Sequence, residues 1–398
     1  MVLSGRRRLS VAVLLSGREK FSVYYGGALA RWSYEVYSRL GGEIAVTVFG
    51  YPTASKDLYS LPHETSGVWR LCDFVAQIPL ARRFEERLWL RALIGRLLKL
   101  DVVHVHNRPQ WVGFLRHLGY EGSIVLHLQN NHLGHWTGPM LDALAPRVDL
   151  LVVCSRFLRD TFALKSPALA AKTQVVFNGV NTQLFCPREE LREPRTIFFV
   201  GRFDPEKGVL QLVQAYAQVL KRHPEARLVI GGTTGFGTHS ETSYFRQVRE
   251  LAGTLIESEH AQIQFAGYLH HDRDLPQWFQ QATIFVSPSL FQEPFGLVNV
   301  EAMACATPVV GANRGAIPEV LGGTGCLIDP GDREEFAKTL SDLLAQPEYC
   351  ARLGLAGYER CKELFDWNVI AAHWAKVLAR IAGERAGFVG FSAGSCDG

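Results

Sequence analysis

Two acids stand eight positions apart in the run SPSLFQEPFGLVNVEAMACATPVVG: Glu293 and Glu301. A turn-like Pro294-Phe295-Gly296 follows the first, and Leu297, Val300, Met303 and Ala304 then recur at helical spacing, so a helix should open near Gly296. Glu293 then lies in the loop before that helix and Glu301 in its second turn. A helix amino terminus points unpaired N–H groups outward and favours anions. An acid beside an anion site calls for a ligand that carries both hydroxyls and phosphate.

Cations suited to the phosphate stand earlier, in VGRFDPEKGV (200–209). Arg202 and Lys207 flank a turn after a strand, the end at which α/β sheets bind ligands. Arginine can grip a diphosphate with two parallel bonds, and lysine acts as a point charge. Read in isolation, the same turn could carry only solvated charges. HHDRD (270–274) is a third polar cluster, where Asp272, Asp274 and two histidines could bind a cation. Asp274, however, directly precedes LPQWFQQA and reads better as a helix N-cap. In the first half, His104 and His106 alternate on one strand face, and buried imidazoles with one or two partners suit them best.

The elements that must hold these residues are short apolar runs alternating with amphipathic stretches, the pattern of parallel α/β domains. Strands are expected at 11–15, 43–50, 101–106, 123–128, 150–154 and 173–177. After a charged, proline-flanked linker at 186–195 they resume at 196–200, 226–230, 263–267, 283–287, 307–311 and 325–328. Long helices should span 332–345 and 348–382, and the tail from 384 has no periodicity and reads as disordered. A length of 398 residues suits two domains. Residues 1–188 hold 23 Lys and Arg against 13 Asp and Glu, and the rest hold 19 against 26. The halves should therefore meet different partners, the basic one an anionic acceptor or acidic surface. The basic amphipathic stretch 82–100 could lie on a membrane, although packing on the sheet is the commoner use of such a helix. The eight cysteines show no metal spacing and suit a reducing compartment. GRRRLSVAVLLSG at the start reads as a buried first strand rather than a leader, and no run reaches the ~18–20 apolar residues of a span.

VGRFDPEKG, FAGYL, VSPSLFQEPFGLVNVEAMACATPVVGANRGAIPEV and GCLIDPGD occur in an order that resembles the second domain of retaining GT-B glycosyltransferases of family 4, the glycosyl transferases group 1. The Gly26-Gly27 loop, DVVHVHN and VVFNGVNTQLFCP agree with the first domain, and HNRPQW…LHLQNNHLGHW resembles the spore-coat-type branch. The resemblance implies two Rossmann-like α/β domains with parallel sheets facing across a cleft: 1–188 for the acceptor, 189–366 for the nucleotide sugar, and a helix at about 367–383 packing back on the first. It implies that Arg202 and Lys207 hold the diphosphate, Glu301 the ribose hydroxyls and Glu293 the donor sugar. Phe295, Gly296 and Leu297 would meet sugar and phosphate through their N–H groups. The backbone of Gly267, Tyr268 and Leu269 would line the base pocket, and Gly26 and Gly27 would join the donor site.

One position departs from the family. The strand SIVLHLQN commonly ends in a histidine beside the reaction centre, and here that position is Gln129, with His127 two residues earlier on the same face. Both are candidate catalytic residues with Glu293. The resulting expectation is a cytoplasmic, metal-independent, retaining glycosyltransferase, peripheral to the inner membrane face if 82–100 docks there. It would need no cofactor beyond its nucleotide-sugar co-substrate. Its acceptor would be a glycan, a lipid-linked or a small molecule, with WTGPML (136–141) one guess at a contact, and no nucleic-acid partner is expected. A sugar-nucleotide-binding protein with weak transfer, or another GT-B reaction such as epimerisation, would share most of these residues.

Overall fold

A computed structural model describes residues 8–15, 19–22, 27–51, 59–64, 84–234 and 242–386. The chain divides into two compact units, 1–177 with 368–398, and 178–367. In the first, β1 (Leu9–Leu14), β2 (Ile44–Phe49), β3 (His63–Glu64), β4 (Val102–His106), β5 (Ser123–Leu128), β6 (Leu150–Val153) and β7 (Thr173–Val175) form one sheet in the order β3-β2-β1-β4-β5-β6-β7. Every pairing in it is parallel. β4, β5 and β6 are buried along their whole length, which is why they are mostly apolar on both faces, with His104, His106 and His127 among the exceptions in β4 and β5.

The second unit repeats the design with β8 (Thr196–Val200), β9 (Arg227–Gly231), β10 (Gln262–Gly267), β11 (Ile284–Ser287), β12 (Val309–Ala312) and β13 (Cys326–Ile328), ordered β10-β9-β8-β11-β12-β13 and again all parallel. Strand order reverses between β8 and β11. Ligands of open α/β sheets bind outside the carboxyl ends of the strands at such a reversal. The twelve expected strands are all present, and among the described residues β3, two residues long, adds a thirteenth.

Three expectations about organisation change. The stretch 186–195 is not a free linker. It is tied along the surface of the second unit: Arg192 donates to the Ala282 carbonyl at 2.5 Å, Gln280 Nε2 to that of Cys186 at 2.9 Å, and Thr283 Oγ1 to that of Glu193 at 2.7 Å. Its charges are used locally, so the unit boundary falls earlier, at 177/178. The expected helix 348–382 is two helices, Pro347–Leu364 and Trp367–Ala386. They break where Val180 N–H donates to Phe365 O at 2.8 Å and Trp367 N–H to Val180 O at 3.2 Å, an isolated bridge that competes with helical bonding. Finally, the apolar face of the 82–100 stretch is occupied. Its helix, Glu85–Leu97, buries Trp89, Leu90, Leu93 and Leu97, with the Trp89 ring 5.2 Å from that of Trp111. Residues 82–83 lie outside those described, as do Gly26 and 387–398 of the tail, whereas 384–386 extend the last helix. No helix among the described residues is long and apolar enough to cross a membrane.

Candidate functional site

The turn after β8 and the loop after β11 lie against each other at the reversal of strand order. Gly208 has φ +71°, and a Cβ there would fall 2.0 Å from the Pro288 carbonyl oxygen. Glycine is thus required both by the left-handed backbone and by the close approach. Leu290 N–H also donates to Glu206 O at 2.7 Å. On the other side of the loop, Gly315 (φ +60°) leaves room for the Glu293 backbone, whose carbonyl oxygen would sit 2.3 Å from a Cβ. Ala316 N–H donates to that carbonyl at 2.8 Å. Two backbone approaches from two directions therefore fix where Glu293 stands.

Its side chain meets Lys207. Lys207 Nζ lies 2.9 Å from Glu293 Oε2, with 21% and 14% of the two side chains exposed. Ser289 Oγ donates to the same oxygen at 3.3 Å, and the lysine also sits 4.7 Å from the centre of the Phe291 ring. Arg202 stands nearer solvent, 3.0 Å from Asp204. The two cations thus flank the turn after β8, each beside an acid.

The helix Leu297–Ala304 opens at Gly296, as its spacing foretold. Phe295 is buried, and its ring meets that of Phe365 edge-on at 5.8 Å, which anchors the loop ahead of the helix. Glu301, in the second turn, is 4% exposed. Its Oε1 lies 2.7 Å from His271 Nε2, and its Oε2 is buried without a hydrogen-bond partner. On the β10 side, Gly267 (φ +69°) ends the strand and its carbonyl accepts from Gly232 N–H at 2.7 Å. Tyr268 is exposed, and Leu269 packs where a Gly231 Cβ would be.

Sequence reasoning missed two residues here. It offers His271 only as part of a cation motif, yet the ring pairs with Glu301. Asn299 is fully buried with both side-chain polar atoms unpartnered, and its Nδ2 lies 2.5 Å from where a Gly296 Cβ would be. A lone amide on an apolar helix was its only signal. Asp274 does precede the helix Leu275–Gln281, but its side chain does not cap it. The carboxylate instead accepts from His270 N–H at 2.9 Å and Arg273 Nε at 2.8 Å, and the Arg273 guanidinium, with that N–H, holds its carboxyl down at about 2.

In the first unit, His104, His106 and His127 share one buried cluster whose ligand atoms all lie within 4.8 Å of one another, the one such group of three among the described residues. His104 Nε2 faces His127 Nδ1 at 3.3 Å, Tyr37 Oη lies 2.9 Å from His104 Nδ1, and Ser33 Oγ lies 3.2 Å from His106 Nε2. Trp32 and Trp374 close over the rings, the latter from the last helix. Burial pushes all three imidazoles down, His106 to about 3, so they are neutral near pH 7. His127 has no exposed surface. In the structure its ring packs among His104, Trp32 and Trp374.

Gln129, just beyond β5, lies at the rim of this cluster. Its N–H donates to Asn107 Oδ1 at 2.8 Å, and its Nε2 is buried without a partner. Asn107, at φ +51°, also donates its own N–H to His127 O at 2.9 Å, so one residue ties the ends of β4 and β5 together. Of the glycine loop, only Gly27 is described. The helix that follows it, Ala28–Tyr37, already holds an acid at its amino terminus: Glu19 Oε1 accepts from Ala30 N–H at 3.1 Å. Burial raises the Glu19 carboxyl and the backbone N–H groups of Ala30, Gly27 and Leu29 oppose that rise. These N–H groups are thus engaged within the protein. WTGPML enters the helix Gly138–Leu144, which buries Leu141.

Two all-parallel Rossmann-like units, the second with paired charges and a buried acid where its strand order reverses, have the architecture of the GT-B class. Residues 29–184 match the family described as Glycosyltransferase Family 4, and residues 185–360 match Glycosyl transferases group 1. The chain is 35% identical over 340 residues to the MMP alpha-(1->4)-mannosyltransferase of Mycolicibacterium hassiacum, covering 78% of this chain and 79% of that protein. It is 28% identical over 306 residues to Spore coat protein SA of Bacillus subtilis, covering 71% and 79%. The structure of Anabaena HepE in complex with UDP superposes with a TM-score of 0.72 at 20% identity, over 94% of this chain and 100% of that one. This chain belongs to family 4, the group 1 glycosyl transferases, and is a glycosyltransferase.

Proposed function

We propose that the protein moves a sugar from a nucleotide-diphosphate donor to a hydroxyl acceptor with retention at the anomeric carbon and without a metal ion. The buried Glu301, with one oxygen held by His271 and the other unpartnered, in the unit whose β8 turn carries Lys207 and Arg202, carries this reading. An acid so placed accepts hydroxyl protons, as a ribose offers, and the cations suit the diphosphate. HepE, which shares the fold, has been solved with UDP and with UDP-glucose.

In the proposed reaction the bond from the anomeric carbon to the leaving phosphate oxygen breaks. A bond to the acceptor oxygen forms on the same face, and the acceptor proton passes to that phosphate oxygen. Negative charge grows on the diphosphate, where Arg202 and Lys207 stabilise it. Lys207 then exchanges part of its contact with Glu293 for phosphate, which leaves the Glu293 carboxylate to accept from the sugar. The N–H groups of Phe295, Gly296 and Leu297 serve sugar and phosphate, and the backbone of 267–269 serves the base. Gln129 offers a hydroxyl of the transferred sugar both a donor and an acceptor that do not titrate. A glycan, lipid-linked or small-molecule acceptor is assigned to the basic first unit.

A thermal-shift screen over nucleotides and nucleotide sugars tests the donor half, since a ligand at a hundred times its Kd stabilises a fold by about 2.7 kcal/mol. Incubating the best donor with an acceptor panel, with and without EDTA, and reading the product's anomeric proton by NMR tests the rest. An inverted product, or activity abolished by EDTA and restored by Mn²⁺ or Mg²⁺, overturns the proposal.

A further inference from the structure

We propose that His271 is a positioning residue for the nucleotide ribose: it clamps one oxygen of Glu301 so that the other is presented to the 2′ and 3′ hydroxyls. This rests on the nucleotide-sugar reading and adds to it a residue that decides ribose from deoxyribose. His271 follows the strand end at Gly267 and precedes the helix Leu275–Gln281, so it is delivered to Glu301 from a different strand of the sheet. Its Nε2 lies 2.7 Å from Glu301 Oε1 and its Nδ1 2.7 Å from Asp272 Oδ1. Ionised carboxylates only accept, so both contacts are hydrogen bonds when both ring nitrogens carry a proton. The ring also lies edge-on to Phe185 at 5.2 Å, which leaves it little freedom to turn.

Glu301 is a long side chain on a helix, and the terminal torsion of such groups is intrinsically broad. The imidazole supplies a constraint from outside. A carboxylate has about four lone-pair sites. His271 takes one, and the enclosed, unpartnered Oε2 keeps its own for a ligand. A vicinal diol, which donates two protons side by side, matches what remains. Preorganised groups bind more tightly because less freedom is lost on binding.

The test measures binding of UDP, GDP and ADP, and of their 2′-deoxy forms, by calorimetry to wild type, His271→Ala and His271→Gln. Wild type should prefer the ribose form of its best nucleotide by about tenfold or more, the worth of a hydrogen bond to a charged group. His271→Ala should cut that preference to under about threefold while leaving affinity for the deoxy form within about twofold. His271→Gln, whose amide can still donate to Glu301, should keep the preference. Equal weakening of ribose and deoxy forms in His271→Ala, or no change in either, overturns the inference while nucleotide binding stands. Wild type that binds none of the six overturns the nucleotide-sugar reading and this inference with it.

Discussion

In the first unit, β4 and β5 carry three imidazoles with no exposed surface, and each is kept neutral by burial. In the second, the turn after β8 and the loop after β11 carry Lys207 and Glu293, and His271 meets Glu301 nearby, each beside an opposite or complementary charge and, apart from Glu301, partly in water. Both regions sit on strands of one kind of all-parallel sheet, and both are rich in polar atoms, but they solve the burial problem differently. Enclosing a charge is costly, so a group that must be enclosed gives it up. The histidines do this and hydrogen-bond to one another, Tyr37 and Ser33. A group that must meet a charged ligand keeps its charge and is held by a partner that the ligand can share. The first cluster is neutral and enclosed; the second is charged and paired, with Lys207, Glu293 and His271 partly open.

Removing the tryptophan that closes the histidine cluster should break this contrast most severely. Trp374 is fully buried, its ring 5.1 Å from Trp32 and 4.7 Å from His104. Trp374→Ala should cost about 3–5 kcal/mol of stability in urea unfolding, and a loss under about 1 kcal/mol would mean that the cluster is not a packed core. In the second region, Glu301→Ala should weaken binding of the best nucleoside diphosphate by about 1.5–3 kcal/mol in calorimetry. Affinity equal to wild type would remove Glu301 from the site.

Acid separates the regions further. An imidazole pushed down on folding binds fewer protons folded than unfolded, so its contribution to stability is complete above the unfolded value near 6.5 and is lost as pH falls below it. For His106, pushed to about 3, the loss between pH 7 and pH 5 should be about 2 kcal/mol. Urea midpoints at the two pH values measure it, and His106→Gln should flatten the dependence by that amount. A variant as acid-sensitive as wild type would show that His106 is not the titrating group. Gln129 gives the finest test, since it adjoins the neutral cluster yet offers an unpartnered amide. Gln129→Ala should lower turnover tenfold to a hundredfold, about 1.4–2.7 kcal/mol, whereas Gln129→His should be tolerated. Full turnover in the alanine variant would place Gln129 with the packing residues.

Much of this was legible in the chain. Strands buried on both faces announce themselves as apolar runs, and the EPFGLVNVE segment declared its loop and helix through Pro-Phe-Gly and the spacing of Leu297, Val300 and Met303. The charged stretch 186–195 is mostly exposed, as its polarity suggests, but polarity does not reveal attachment, and Arg192 bonds to several carbonyls of the second unit. For His127 the strand face was legible, but its burial was not, because Trp32 and Trp374, which pack on it, come from helices far away in sequence.

By itself the sequence determined the two parallel α/β units, the glycines that let loops approach and the identities of the acids and cations, because these follow from local periodicity, backbone sterics and residue type. Tertiary structure alone decided which of them meet. Lys207 reaches Glu293 only because β8 and β11 are neighbours in a sheet whose order reverses there, and His271 reaches Glu301 only because the chain returns from β10 across that same edge. Such pairings join residues 86 and 30 positions apart. No local spacing encodes them, since their partner is chosen by strand order and packing rather than by sequence distance.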